Sequence, residues 1–171
     1  MSQDKMIQLA SLTSLCLILY LFESQIPRPV PWIKIGLANV VILVALLRYG
    51  LKMALLVSFF KSVVGGFLLG SLFTPIFLLS LSGGLISTLV MGGFMLFPEG
   101  WFGPVGISII GAFTHLSVQL VAAYFLFIKK LEIFYLFPYF TILAVIVGSI
   151  TGLIAHQVNV RISRNEIRQS I

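Results

Sequence analysis

MALLVSFFKSVVGGFLLGSLFTPIFLLSLSGGLISTLVMGGFMLF runs from Met53 to Phe97 and carries one charge, Lys61. A helix needs about 20 apolar residues to cross a bilayer core of roughly 30 Å. This stretch is long enough to cross twice. Thr74-Pro75 divides it, because proline disfavours helix in the residue before it and suits the first helical position. The two halves, Met53–Phe73 and Pro75–Phe97, read as membrane helices and set the class of the whole chain. Gly65, Gly66 and Gly70 offer an earlier end for the first half, which would leave a curved or re-entrant element there.

The rest of the sequence has the same character. Of 171 residues, 59% are hydrophobic and 9% charged, and mean hydropathy is +1.11. Soluble domains carry about 25% charged residues. Four further apolar segments are Met6–Phe22, Ile33–Tyr49, Gly103–Ile128 and Ile133–Val158. The expected fold is an all-α integral membrane protein, a compact bundle of six transmembrane helices in one domain over residues 1–171. The joints Gly50-Leu51-Lys52, Pro98-Glu99-Gly100 and Lys129-Lys130-Leu131-Glu132 are short, which forces antiparallel neighbours. The first segment lacks a small-x-small cleavage site before the polar loop and reads as a retained helix.

The net charge of +6 informs topology rather than nucleic-acid binding. With six spans, Lys5, Arg48, Lys52, Arg161, Arg164 and Arg168 share one side, and Arg28, Lys34, Lys129 and Lys130 the other. The positive-inside rule then places both termini in the cytoplasm, in the cytoplasmic (inner) membrane, with the Glu23–Lys34 loop outside. The tail VNVRISRNEIRQ reads as a solvated, headgroup-facing helix end.

Catalytic motifs are missing. Asp4 is the single aspartate, and the glutamates at 23, 99, 132 and 166 fall in separate places. Metal-dependent diphosphate chemistry needs clustered carboxylates to hold Mg²⁺. The sequence has no phosphate-binding loop, no nucleophile elbow and no zinc-binding His-Glu-x-x-His pair. The lone Cys16 makes no disulfide within the chain. The expectation is a binding or transport protein, not an enzyme, with no cofactor or metal.

Several polar residues stand where lipid makes them costly. Lys61 lies eight residues into its segment, roughly 12 Å along a helix. It reads either as a site residue for an anionic or carbonyl group, or as a side chain snorkelling to the surface. His115 and Gln119 share a helix face beside Thr114, and read either as interhelical hydrogen bonds or as ligand contacts. Asn39 follows the outer loop and suits ligand contact or capping. In that loop, prolines 27, 29 and 31 alternate, which makes it stiff and extended. Glu23, Arg28, Trp32 and Lys34 surround them, so the loop reads as a semi-rigid lid or as a plain connector. Trp32 suits the interfacial belt or stacking on a ligand ring. Small residues four apart recur as Ala10/Ser14, Gly66/Gly70, Ser108/Ala112 and Gly148/Gly152, a spacing that lets membrane helices touch closely.

Two motifs carry a resemblance. Glu23-x-x-Ile26-Pro27-x-Pro29-x-Pro31-x-x-Lys34-x-Gly36-Leu37-Ala38-Asn39 is followed by Leu79-Ser80-Leu81-Ser82-Gly83-Gly84-Leu85 and Met91. Together they resemble the Gx transporter family, whose members are often labelled heptaprenyl diphosphate synthase component I. That family is similar to the S components of energy-coupling factor (ECF) transporters. The resemblance covers essentially the whole chain. It implies a six-helix bundle without ATPase activity that captures a vitamin or related micronutrient from outside, beneath the first external loop. It implies partners as well: a transmembrane coupling protein and two cytoplasmic ATPases. Small residues of the first helix contact the coupling protein in S components, which implies that role for Ala10 and Ser14, although the pair here is Ala-x3-Ser rather than two alanines.

The function expected is therefore a substrate-binding subunit of an ECF-type importer, embedded in membrane lipid. Its site would comprise Glu23, Arg28, Trp32, Lys34 and Asn39, with Ser82, His115 and Gln119 from the deeper walls and Lys61 beside them. The alternative is a non-catalytic membrane subunit accompanying isoprenoid diphosphate synthesis.

Overall fold

The computed structural model describes residues 3–25, 36–98 and 101–169. Arg28, Trp32 and Lys34 lie outside the described residues. Six α-helices are seen among those described: α1 (Gln3–Ser24), α2 (Leu37–Tyr49), α3 (Leu51–Leu68), α4 (Pro75–Phe94), α5 (Pro104–Ala123) and α6 (Phe137–Gln169). A π-helical turn (Tyr124–Ile128) and a 3₁₀ turn (Leu131–Leu136) connect α5 to α6. The all-helical membrane architecture expected from the sequence is the one found. Five of the helices are long and apolar enough to cross a membrane, so this is a multi-pass membrane protein.

The sixth expected span is different in kind. α2 has 13 residues, about 20 Å of helix. It begins at Leu37, not Ile33, after Gly36 in the left-handed conformation at φ +85°. Val40 to Leu46 are all buried, so α2 is covered on every side. An apolar helix without a polar face belongs inside a bundle. α1, α3, α4 and α6 all touch it, while α1–α3–α4–α5–α6 follow one another around it. One residue, Gly50 at φ +82°, turns the chain from α2 into α3.

α3 also differs from the expected Met53–Phe73. It ends at Leu68, while Gly65 and Gly66 stay helical. Gly70 and Phe73 take positive φ, and Thr74 then caps α4 by accepting from the Phe77 N–H at 3.3 Å. The expected fourth segment shortens to Phe94 at its far end.

Water does not drive helices together inside lipid, so close packing and polar contacts must hold them. α5 and α6 make the most extensive pairing. Gly148 and Gly152 bring the two backbones together: a methyl at either would lie 2.6 Å from Ile109 Cα or 2.7 Å from Val105 Cα. Ser108 and Thr151 hydroxyls share a hydrogen bond of 2.8 Å across the same seam. Large apolar side chains such as Ile18, Phe22, Phe67, Leu89, Phe125 and Ile142 face outward, where lipid covers them.

α6 spans 33 residues, about 50 Å, and outruns the bilayer core. Its polar tail does more than face solvent. Arg48 at the end of α2 donates from Nη1 to Asn159 O and Oδ1 and to Ser163 Oγ at 3.3–3.4 Å. These bonds fasten the tail to the central helix. Arg48→Ala is expected to raise amide exchange over residues 159–169 about tenfold and to leave the α2–α5 amides unchanged. Unaltered exchange in the tail would mean that other contacts hold it.

Candidate functional site

A small polar cavity lies at the end of the bundle where α1 finishes and α2 begins. Tyr20, Glu23, Gly36, Ala38, Asn39, Lys61, Ser80 and His115 line it, and its volume is about 20 Å³. That is room for about one water molecule. Five helices and the Gly36 turn contribute, and most of the lining side chains are polar in a bundle whose clusters of buried residues are otherwise apolar.

Glu23 is 1% exposed. Its Oε1 accepts a hydrogen bond of 2.6 Å from the Gly36 N–H. This bond clasps the last turn of α1 to the entry of α2, so Glu23 holds the two ends of the α1–α2 connection together. Below it, the Cys16 thiol donates to Ala38 O at 3.3 Å and adds a second tie between the same two helices.

Lys61 stands ten residues into α3, about 15 Å along it. Snorkelling is ruled out by its burial at 3% exposure. Its ammonium lies 5.7 Å from the centroid of the Tyr20 ring, a cation–π contact. The Glu23 carboxylate is within electrostatic reach. Tyr20 can lie there because α3 has glycine at 65; a methyl at that position would come within 2.7 Å of the Tyr20 ring.

The Ser-Gly-Gly motif on α4 makes space for two neighbours at once. A methyl on Gly83 would lie 3.1 Å from His115 Nδ1 and Cε1 and 3.2 Å from Gln119 Cγ on α5. A methyl on Gly84 would meet polar groups of α3. His115 thus reaches the cavity, and Gln119 lies one turn deeper at 2% exposure, with no partner for its Oε1 among the described residues. Thr114 turns away and donates to Ile110 O at 2.8 Å.

Of the residues proposed from sequence, Glu23, Asn39, Lys61 and His115 come together around the cavity, and Gln119 adjoins it. Ser82 does not line it. Its hydroxyl donates to Leu78 O at 2.7 Å in its own helix. Ser80, two residues earlier, faces the cavity instead, because two residues turn a helix by about 200°. Tyr20, Ser80, Ser58 and Ser62 were missed. The signal for the serines was spacing: Ser58 and Ser62 flank Lys61 on one face of α3, and Ser80 and Gly84 share one face of α4.

Ala10 and Ser14 sit elsewhere. They are exposed in an outward-facing groove of about 380 Å³ between α1 and α3, lined with Met6, Leu9, Thr13, Phe60 and Val64.

No curated protein and no solved structure matches the chain. A family model does match, over residues 12–158, a stretch that contains every residue of the cavity, and the chain therefore belongs to the heptaprenyl diphosphate synthase component I family.

Proposed function

We propose that the chain is the substrate-binding, S-component-like subunit of an ECF-type importer in the cytoplasmic membrane, with both termini inside. The observation that supports this most is the buried polar cavity at one end of an apolar bundle, built by Glu23, Asn39, Lys61, Ser80 and His115. A lipid-facing scaffold has no need of such a cluster, since ionisable groups at this depth are expensive and mark ligand paths or relays. Binding sites for small molecules occupy about 300–1,000 Å³. A cavity of about 20 Å³ is the contracted form of such a site, and it widens when α1 and α2 part at the Glu23–Gly36 clasp. The ligand is a small, vitamin-like or anionic micronutrient. The coupling protein docks along the groove at Ala10 and Ser14, and ATPase subunits drive release.

The family description favours a second reading, a membrane subunit beside a soluble prenyl diphosphate synthase. The chain itself binds rather than catalyses in both, since one aspartate and scattered glutamates supply no Mg²⁺ site.

Mass spectrometry of the small molecule released on denaturing gently purified protein separates the two. A stoichiometric water-soluble micronutrient supports the importer; a prenyl diphosphate or quinone precursor supports the synthase partner. Once that molecule is known, Asn39→Ala is expected to weaken its binding about tenfold without lowering thermal stability. Unchanged affinity by calorimetry would remove Asn39 from the site.

A further inference from the structure

One turn below Ser80 on α4, Gly84 faces α3. A methyl on Gly84 would lie 2.9 Å from Ser58 Oγ, 3.8 Å from Lys61 Nζ and 3.9 Å from Ser62 Oγ. All three side chains are at least nine-tenths buried. Among the described residues the Ser58 and Ser62 hydroxyls have no hydrogen-bond partner. The Lys61 ammonium has the Tyr20 ring beside it and, among the described residues, no hydrogen-bond acceptor.

Most such hydroxyls elsewhere among the described residues are satisfied, Thr13 Oγ1 being an exception. Ser82, Thr88, Thr114, Thr141 and Thr151 each donate to the carbonyl four residues back, the ordinary solution for a hydroxyl inside lipid. Ser58 and Ser62 have the same option in α3 and do not take it. Nor does the Gly84 carbonyl serve them: Ser87 Oγ and Thr88 Oγ1 donate to it at 3.0 and 2.7 Å. Three donors therefore converge on one point with no acceptor between them.

We propose that Ser58, Lys61 and Ser62, with Gly84, form an anion-anchoring subsite at the floor of the cavity, which takes a carboxylate or phosphate group of the bound molecule. The proposal rests on the reading of this chain as a small-molecule-binding subunit. The ammonium supplies charge and the two hydroxyls supply directed hydrogen bonds, and an oxyanion has lone pairs for all three. Lys61 lines the cavity and also lies beside Gly84, so it joins the cavity to the two serines. Glycine at 84 keeps a side chain from standing among the three donors. Glu23, the acidic group nearest in effect, is turned to the Gly36 amide.

The test uses formate, and in parallel inorganic phosphate, as probes on the full-length solubilised protein. About 50 mM formate is expected to raise the unfolding midpoint by about 3 °C in the wild type and in Gly93→Ala, whose added methyl meets nothing within 4 Å. Gly84→Ala keeps every donor but sets a methyl among them, and Lys61→Met removes the charge; neither should shift. General salt effects move all four alike and cancel. If Gly84→Ala does not fold, the double variant Ser58→Ala, Ser62→Ala reads the same loss. A larger response to phosphate assigns a phosphate-bearing ligand, and a larger response to formate a carboxylate. Equal shifts in wild type and Gly84→Ala, or none in wild type, overturn the subsite. A released molecule with no acidic group also overturns it and leaves the binding reading intact. A formate shift confined to wild type and Gly93→Ala, with no molecule released, upholds the subsite and counts against the binding reading.

Discussion

Gly148→Val is expected to cost about 3 kcal/mol or more and to lower the unfolding midpoint of the solubilised protein by roughly 6–12 °C. The reason is what the new side chain meets. Its first carbon would lie 2.6 Å from Ile109 Cα and 3.0 Å from Ile109 N, both backbone atoms of a packed helix. Backbone cannot swing aside as a side-chain tip can, so α5 and α6 must separate. The Ser108–Thr151 hydrogen bond on the same seam is then stretched as well. Gly152, whose methyl would meet Val105 Cα at 2.7 Å, should behave alike. Gly106→Ala is the control on α5 itself: its nearest neighbour would be Phe102 Cδ1 at 3.9 Å, and the helix gains from losing a glycine. Equal midpoints for Gly148→Val and Gly106→Ala would mean that α5 and α6 are not held by backbone contact at this seam.

Glu23→Ala should have the largest effect on binding. It removes the acceptor of the Gly36 N–H and leaves that amide buried beside Ala38 and Asn39. It also removes a carboxylate within electrostatic reach of Lys61. A loss of about 2–3 kcal/mol in stability is expected from the orphaned donor and the uncompensated charge. Because the clasp sets the spacing of α1 and α2 over the cavity, retention of the co-purifying molecule should fall by about 100-fold, an effect of roughly 2.7 kcal/mol on binding. Glu23→Gln separates the two roles. Its amide carbonyl still accepts from Gly36, so most of the stability should return, while the charge stays lost. If Glu23→Ala retains the molecule as well as wild type, the clasp plays no part in the site.

Much of the site was visible as composition but not as arrangement. Lys61, His115 and Gln119 stood out because lipid makes such residues costly, and that cost is a property of the residue alone. Whether Lys61 snorkels depended on its neighbours. Gly65, one turn on in the same helix, admits the Tyr20 ring beside it, and Tyr20 and Gly84 themselves are distant in sequence. Ser82 was the serine expected from the Leu79–Leu85 motif; in the fold Ser80 faces the cavity instead, because of the rotation of α4 about its axis.

The sequence alone determined the class, the number of apolar segments, and the breaks at Gly50 and Thr74-Pro75. These follow from local chemistry: apolar length against bilayer thickness, and the backbone limits of glycine and proline. Only the tertiary structure decided that α2 is the short central helix, and which face of each helix turns inward. In a soluble protein the polar face of a helix marks its outside. Here lipid and core are equally apolar, so the inward face is marked only by what it touches: a glycine against a ring, or two serines against a glycine one helix away.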